Sequence, residues 1–346
     1  MKNLNTIFNS IDNWVEYNKN KIIDFLSKIV SISTENIPPH GNELNGQEFL
    51  VNFVKKEMPD AEIDLYNIME VNNLFEHELF YKYSVNELRV YNNRPNLMVR
   101  LKGSPKNNSI VFSNHIDTAP RHPLPWKISS PFSGEIKNSK LYGRGSADMK
   151  GGLVSSLFSL LCIYKLGIIP NGDIYFESII DEEFGGGNGT LASRLRYPDI
   201  DLGIIPEPNN MILSTETMGG AEWLIKVKTL TNAGYSFSDE NIVNPIDTLA
   251  DIVKILQQYN DFRNKRVVIP ENFPSNTLLP LDITQICAGG CTYKDQGGIP
   301  KEGHLYLWLQ FFSDITEKAH NKEFKAFIKN KLKNIYGDDY IKQKIS

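Results

Sequence analysis

The sequence predicts an α/β chain with helices on the faces of a mixed sheet, followed by a separate α+β sandwich. Three observations carry this. Short apolar runs that read as strands are interleaved with amphipathic helical segments up to about residue 205. The character changes near Gly219-Gly220. Beyond that point the order becomes strand, helix, strand, strand, helix. We place the boundary near residue 217, giving domains 1–217 and 218–346.

The elements follow in order. Residues 11–32 read as a helix, with Trp14, Ile22, Ile23, Leu26, Ile29 and Val30 at helical spacing, and Pro38-Pro39 ends regular structure. Gln47 to Met58 is a second amphipathic helix. Asn96 to Leu101 and Ser109 to Ser113 are strand-like around the turn Gly103-Ser104-Pro105. Met149 to Leu166 reads as a long buried helix, and Asp173 to Ile180 and Leu202 to Ile205 as further strands. In the second domain Ala221 to Leu230 alternates like an edge strand, Pro245 to Tyr259 is an amphipathic helix, and Leu281 to Ala288 and His304 to Phe312 are strands. Thr316 to Ile335 is a charged helix with Phe324, Phe327, Ile328 and Leu332 on its inner face.

Composition narrows the function. The chain has 346 residues, enough for two domains. With 37 basic and 41 acidic residues its net charge is −4, which argues against nucleic acid or an anionic membrane as partner. Cys162, Cys287 and Cys291 are too few for a disulfide framework, so a reducing compartment and a soluble, cytoplasmic protein are expected, with the Cys287/Cys291 pair structural. Met1 to Ile22 lacks the apolar core of a secretion signal, and Leu153 to Ile169 is too short and too polar to span a bilayer.

Four segments bear chemistry, and each has an ordinary explanation when taken alone. His115 and Asp117 lie two apart in an extended segment, so they share a side, as in a simple hydrogen-bonded pair. Asp148 ends Gly143-Arg144-Gly145-Ser146-Ala147-Asp148, where it would serve as a helix N-cap. Asp181-Glu182-Glu183 is an acidic loop after a strand, and three adjacent acids are costly unless solvated or facing a cation. Glu207 follows a strand between Pro206 and Pro208. Together they place one imidazole and several carboxylates at strand ends, where α/β sheets build their sites. That donor set suits zinc or a related divalent ion, with a shared carboxylate for a two-metal site.

At these residues the sequence resembles the dinuclear zinc amidohydrolases related to carboxypeptidase G, acetylornithine deacetylase, succinyl-diaminopimelate desuccinylase and aminoacylase. Asn114-His115-Ile116-Asp117 resembles the family's His-x-Asp, and the run from Gly143-Arg144-Gly145 to Asp148-Met149-Lys150-Gly151-Gly152 its most specific motif. Asp181-Glu182-Glu183 resembles its acidic pair and Glu207-Pro208 its later ligand. The resemblance implies a zinc-peptidase-type catalytic domain with an inserted lid domain, two Zn2+ ions (Co2+ or Mn2+ as alternatives), and a small N-acylated amino acid, peptide or amine as substrate. It implies that His115 and Glu207 hold one metal, Glu183 the other, and Asp148 both. Asp117 would orient His115 and Glu182 would act as general base. It also implies a homodimer formed through the lid. The segment before His115, with Pro38-Pro39-His40-Gly41-Asn42-Glu43 and Arg94-Pro95-Asn96-Leu97, looks more like the acetylornithine deacetylase branch.

Two expectations concern departures from that family. Its second metal takes a last ligand, a His, from a C-terminal segment that returns to the catalytic domain, and no such segment precedes Ser346. His40, His77, His122 and His304 stand in unsuitable contexts, and His320 is expected to be solvated in a polar helix. A catalytically impaired relative acting as a binding or accessory protein is therefore the alternative. The family's lid also carries a His that stabilises the tetrahedral intermediate. The matching stretch, Thr231 to Phe237, offers Tyr235 as a hydrogen-bond donor instead.

Overall fold

The computed structural model describes residues 4–81, 89–104, 107–121, 123–229, 244–289, 298–312, 316–338 and 345. Tyr235, His122 and Cys291, and the roles expected of them, lie outside the described residues. The chain divides into two compact units, Met1–Ile212 and Leu213–Ser346.

The first unit runs α1 (Leu4–Ser31), β1 (Asn36–Ile37), β2 (His40–Gly41), α2 (Leu44–Glu57), β3 (Glu62–Asn67), β4 (Pro95–Leu101), β5 (Ile110–His115), β6 (Glu135–Lys137), β7 (Lys140–Tyr142), α3 (Lys150–Lys165), β8 (Ile174–Ile179), α4 (Asn188–Arg196) and β9 (Leu202–Ile204). Its main sheet has the order β3-β4-β8-β5-β9. Strands β8, β5 and β9 run parallel, while β4 pairs antiparallel with both β8 and β3. The sheet is mixed, as expected from the sequence. Strands β4 and β8 are buried along nearly their whole length, which accounts for their continuous apolar runs.

Helix α1 starts seven residues earlier than expected; Leu4, Ile7, Phe8 and Ile11 continue the helical spacing towards the N-terminus, although Leu4 and Phe8 are exposed. The core joins Phe25 and Ile29 of α1, Leu50 and Val54 of α2, Leu97 and Val99 of β4, Leu153, Leu157 and Leu161 of α3, and Phe176 of β8. Phe25, Phe49, Phe53 and Phe158 pack with ring centroids 4.4–5.4 Å apart. Lys150, fully buried at the start of α3, donates to the carbonyls of Ile29 (3.0 Å) and Ile32 (2.9 Å), so it satisfies the end of α1 and ties it to α3.

The second unit has β10 (Gly219–Lys228), α5 (Pro245–Arg266), β11 (Leu281–Ala288), β12 (Glu302–Phe311) and α6 (Glu317–Tyr336). The sheet is antiparallel in the order β10-β12-β11, so β10 is an edge strand. Leu305, Leu307 and Leu309 of β12 pack with Ile252, Leu256 and Tyr259 of α5 and with Phe324, Ile328 and Leu332 of α6. One expectation is overturned here. His320 is buried at 6% exposure, with its ring stacked on Phe311 at 4.7 Å. The polar composition of α6 hides this, because the burying surface belongs to β12. No helix among the described residues is long and apolar enough to cross a membrane.

Candidate metal centre

The three parallel strands β8, β5 and β9 bring their carboxyl ends side by side, and each supplies donors there. His115 is the last residue of β5, Glu182 and Glu183 follow β8, and Glu207 follows β9. Asp148 arrives on the turn before α3. The N-cap of that helix is Met149, and no side chain caps it, so Asp148 is not used as a cap. Its carboxylate points to the His115 imidazole instead, with Oδ1 3.1 Å from Nε2. Gly152, in the first turn of α3, lies so close to the Glu207 loop that a Cβ there would overlap the carbonyl oxygen of Pro206.

Around the same Nε2 stand Glu207 Oε1 at 3.5 Å and Glu182 Oε2 at 3.7 Å. Two overlapping groups, His115 with Glu182 and Glu207, and His115 with Asp148 and Glu183, each hold their ligand-type atoms within 4.8 Å of one another. All the metal-ligand residues expected from the sequence are therefore in one place, joined by Glu182. His40, His77, His304 and His320 belong to neither group.

The far side of the ring fixes its tautomer. Nδ1 lies 2.9 Å from the backbone carbonyl of Asp117 and 3.5 Å from that residue's Oδ1. A proton on Nδ1 donates to the carbonyl and turns Nε2 towards the carboxylates; Nε2 donates to Asp148 and would give up that proton to bind a cation. The orienting group is thus chiefly the backbone of Asp117. Its carboxylate reaches further, accepting the backbone N–H groups of Glu182 and Glu183, each at 3.2 Å.

The electrostatics show what the cluster demands. Burial alone would lower the His115 pKa, but the hydrogen bonds to Asp117 and Asp148 and the charges of Asp117 and Glu182 outweigh it and raise it to about 11. Burial also works against ionising Asp117, yet His115 and Asn36 hold its carboxyl below the usual range. Glu183 and Glu207 are pushed up to about 7, by burial first and then by neighbouring carboxylates, and Glu182 is raised for the same reasons. One buried imidazole among carboxylates that raise one another's pKa is an arrangement a divalent cation relieves, and the nitrogen-and-oxygen donor set suits zinc-type ions. The residues fit the group.

Sequence reasoning missed a second layer. Asn36, Glu43, Arg89, Arg94 and Asp181 are all at least 93% buried and form a polar cluster behind Asp117. Glu43, Arg94 and Asp181 lie in segments the sequence singled out, but nothing local indicates that they meet Asn36 and Arg89.

Ionisable side chains gathered at the carboxyl ends of the parallel strands of a mixed sheet define a candidate metal centre. The sequence profile of Peptidase family M20/M25/M40 matches residues 111–294, just over half of the chain. The chain belongs to that family. It is 28% identical over 199 residues to an N-formyl-4-amino-5-aminomethyl-2-methylpyrimidine deformylase of Halalkalibacterium halodurans, a match covering 57% of this chain and 40% of the relative. A probable succinyl-diaminopimelate desuccinylase of Staphylococcus aureus is 28% identical over 239 residues, covering 66% of this chain and 56% of the relative. The chain thus spans about half the length of these relatives. Among solved structures, the di-peptidase Dug1p of Saccharomyces cerevisiae superposes with a TM-score of 0.62 at 12% identity, over 93% of this chain and 75% of that one.

Proposed function

We propose that this chain is a metal-dependent amidohydrolase that cleaves an amide bond in a small N-acylated amine, amino acid or peptide. The observation that carries the reading is the convergence of Asp148, Glu182 and Glu207 within 3.1–3.7 Å of Nε2 of His115. The relatives named deformylase and desuccinylase support the N-acyl class.

His115 and Glu207 would hold one divalent cation, Glu183 a second, and Asp148 both, with Zn2+ favoured over Co2+ or Mn2+. When bound, such ions polarise the scissile carbonyl and acidify water. The rest is done by side chains of this chain. Asp117 orients the imidazole through its carbonyl. Glu183 is anchored by the backbone N–H of Ala119, which suits a ligand. Glu182 has its pKa raised by burial, which suits a group that takes a proton from the attacking water and passes it to the leaving amine. A homodimer formed through the second unit belongs to the same reading.

The test is amine release from a panel of N-formyl, N-acetyl and N-succinyl amino acids and dipeptides, with Zn2+ or Co2+ added. Metal-dependent turnover is expected, and Glu182→Gln lowers kcat by about 10²–10⁴-fold with metal content unchanged. A wild-type chain that binds metal yet releases no amine from the whole panel overturns the proposal.

A further inference from the structure

We propose that Asn36 is a positioning residue of the metal centre. Its amide registers two buried arginines against two buried aspartates, and so aims His115, Glu182 and Glu183. The proposal rests on the metal-centre reading above.

An amide side chain offers two donor hydrogens and one oxygen with two lone pairs. Asn36 uses all four. Its Oδ1 accepts from Arg89 Nη1 at 2.9 Å and Arg94 Nη2 at 3.2 Å. Its Nδ2 donates to Asp117 Oδ2 at 2.8 Å and Asp181 Oδ1 at 3.1 Å. Turning the amide over would set its hydrogens against guanidinium donors and its oxygen against two carboxylates, so its orientation has one solution. Asn36 is itself fully buried on β1, and its backbone N–H donates to the carbonyl of Thr118 at 2.9 Å, next to Asp117.

Each neighbour is fixed in turn. Glu43 grips Arg94 with two bonds, Nε to Oε2 at 2.9 Å and Nη2 to Oε1 at 2.6 Å. Asp181 Oδ2 accepts from Tyr91 at 2.8 Å, and Tyr91 accepts from Asn188 at 2.6 Å. Asp181 has φ 64, the left-handed region, which a residue with a side chain keeps when its surroundings hold it there. Glu182 and Glu183 leave from that turn, and their backbone N–H groups bond to Asp117. Asn36 thus touches both aspartates that aim the two glutamates, and one of them carries the carbonyl that fixes the imidazole.

A buried polar cluster costs desolvation, and an apolar replacement is often as stable. The role assigned here is therefore read through metal affinity. Co2+ is titrated into the full chain and followed by its visible absorption. In Asn36→Ala the Co2+ dissociation constant is expected to rise about 10- to 100-fold, the range for residues that orient metal ligands, with a changed band shape. Gln47→Ala is the control. It removes two buried hydrogen bonds, to Pro95 and Ser178 carbonyls, without touching Asp117 or Asp181, and should leave the constant within about threefold. If Asn36→Ala does not fold, Arg94→Lys, which loses the fork on Glu43, should weaken Co2+ in the same direction. Unchanged affinity in the variant measured, or an equal loss in Gln47→Ala, overturns the proposal. A wild type that binds no Co2+ overturns the metal-centre reading together with it.

Discussion

The two units bury very different things. The first encloses Glu43, Arg89, Arg94, His115, Asp117, Lys150, Glu177 and Asp181, each at 7% exposure or less. Among the described residues of the second, the buried polar side chains are Thr248, Arg263 and His320. Both have a continuous apolar core of helices on a sheet. Apolar packing is therefore sufficient to hold a layered α/β unit together. Desolvating so many charges in the first unit adds cost rather than stability unless each is matched by a partner. The difference teaches that the first unit's polar core is arranged for geometry, and that its stability is conditional on what its carboxylates face.

Chelation should separate the units most strongly. A ligand at 100 times its dissociation constant stabilises the state it binds by about 2.7 kcal/mol. Removing metal with EDTA should therefore raise hydrogen exchange in peptides from β5 and α3 by about that free energy, and leave those from β12 and α5 unchanged. Equal change in both would break the contrast.

A second, smaller effect belongs to the other unit. Burial, with Arg263 nearby, lowers the His320 pKa from 6.5 to about 4. The unfolded chain then binds a proton that the folded one refuses between those values. Stability from this group is complete above pH 6.5 and falls as pH drops towards 4, by up to about 1.4 kcal/mol per pH unit. Urea unfolding of His320→Phe should be flatter over that window, and an unaltered slope would show that other groups govern it. The smallest effect is at a helix end. Asn244 Oδ1 caps α5 by accepting from the Ile246 N–H at 3.0 Å. Asn244→Ala should cost about 1 kcal/mol in urea unfolding and leave metal binding as it was.

His115, Glu183 and Glu207 were legible because each sits at or just beyond a strand end, which short apolar runs reveal, and Asp148 because it closes a glycine-rich turn before a helix. Helices α2, α5 and α6 were legible from apolar spacing, whereas the first turns of α1 were missed although Leu4, Ile7, Phe8 and Ile11 keep that spacing. The cluster around Asn36 could not be read, because it forms only when the stretches 36–43 and 89–94 and residue 181 come together in the fold. His320 was misjudged because its burial is supplied by a strand nine residues upstream rather than by its own helix.

Gly152 carries a consequence of its own. With nothing but hydrogen on its α-carbon, the main chain of α3 rests directly on that of Pro206, one residue before Glu207 and four residues after Asp148. The gap between those two carboxylates is therefore gauged by main-chain thickness, with no flexible side chain as a spacer. A single methyl group would act as a shim there, far enough from the reacting atoms to touch none of them and close enough to change the bore they share.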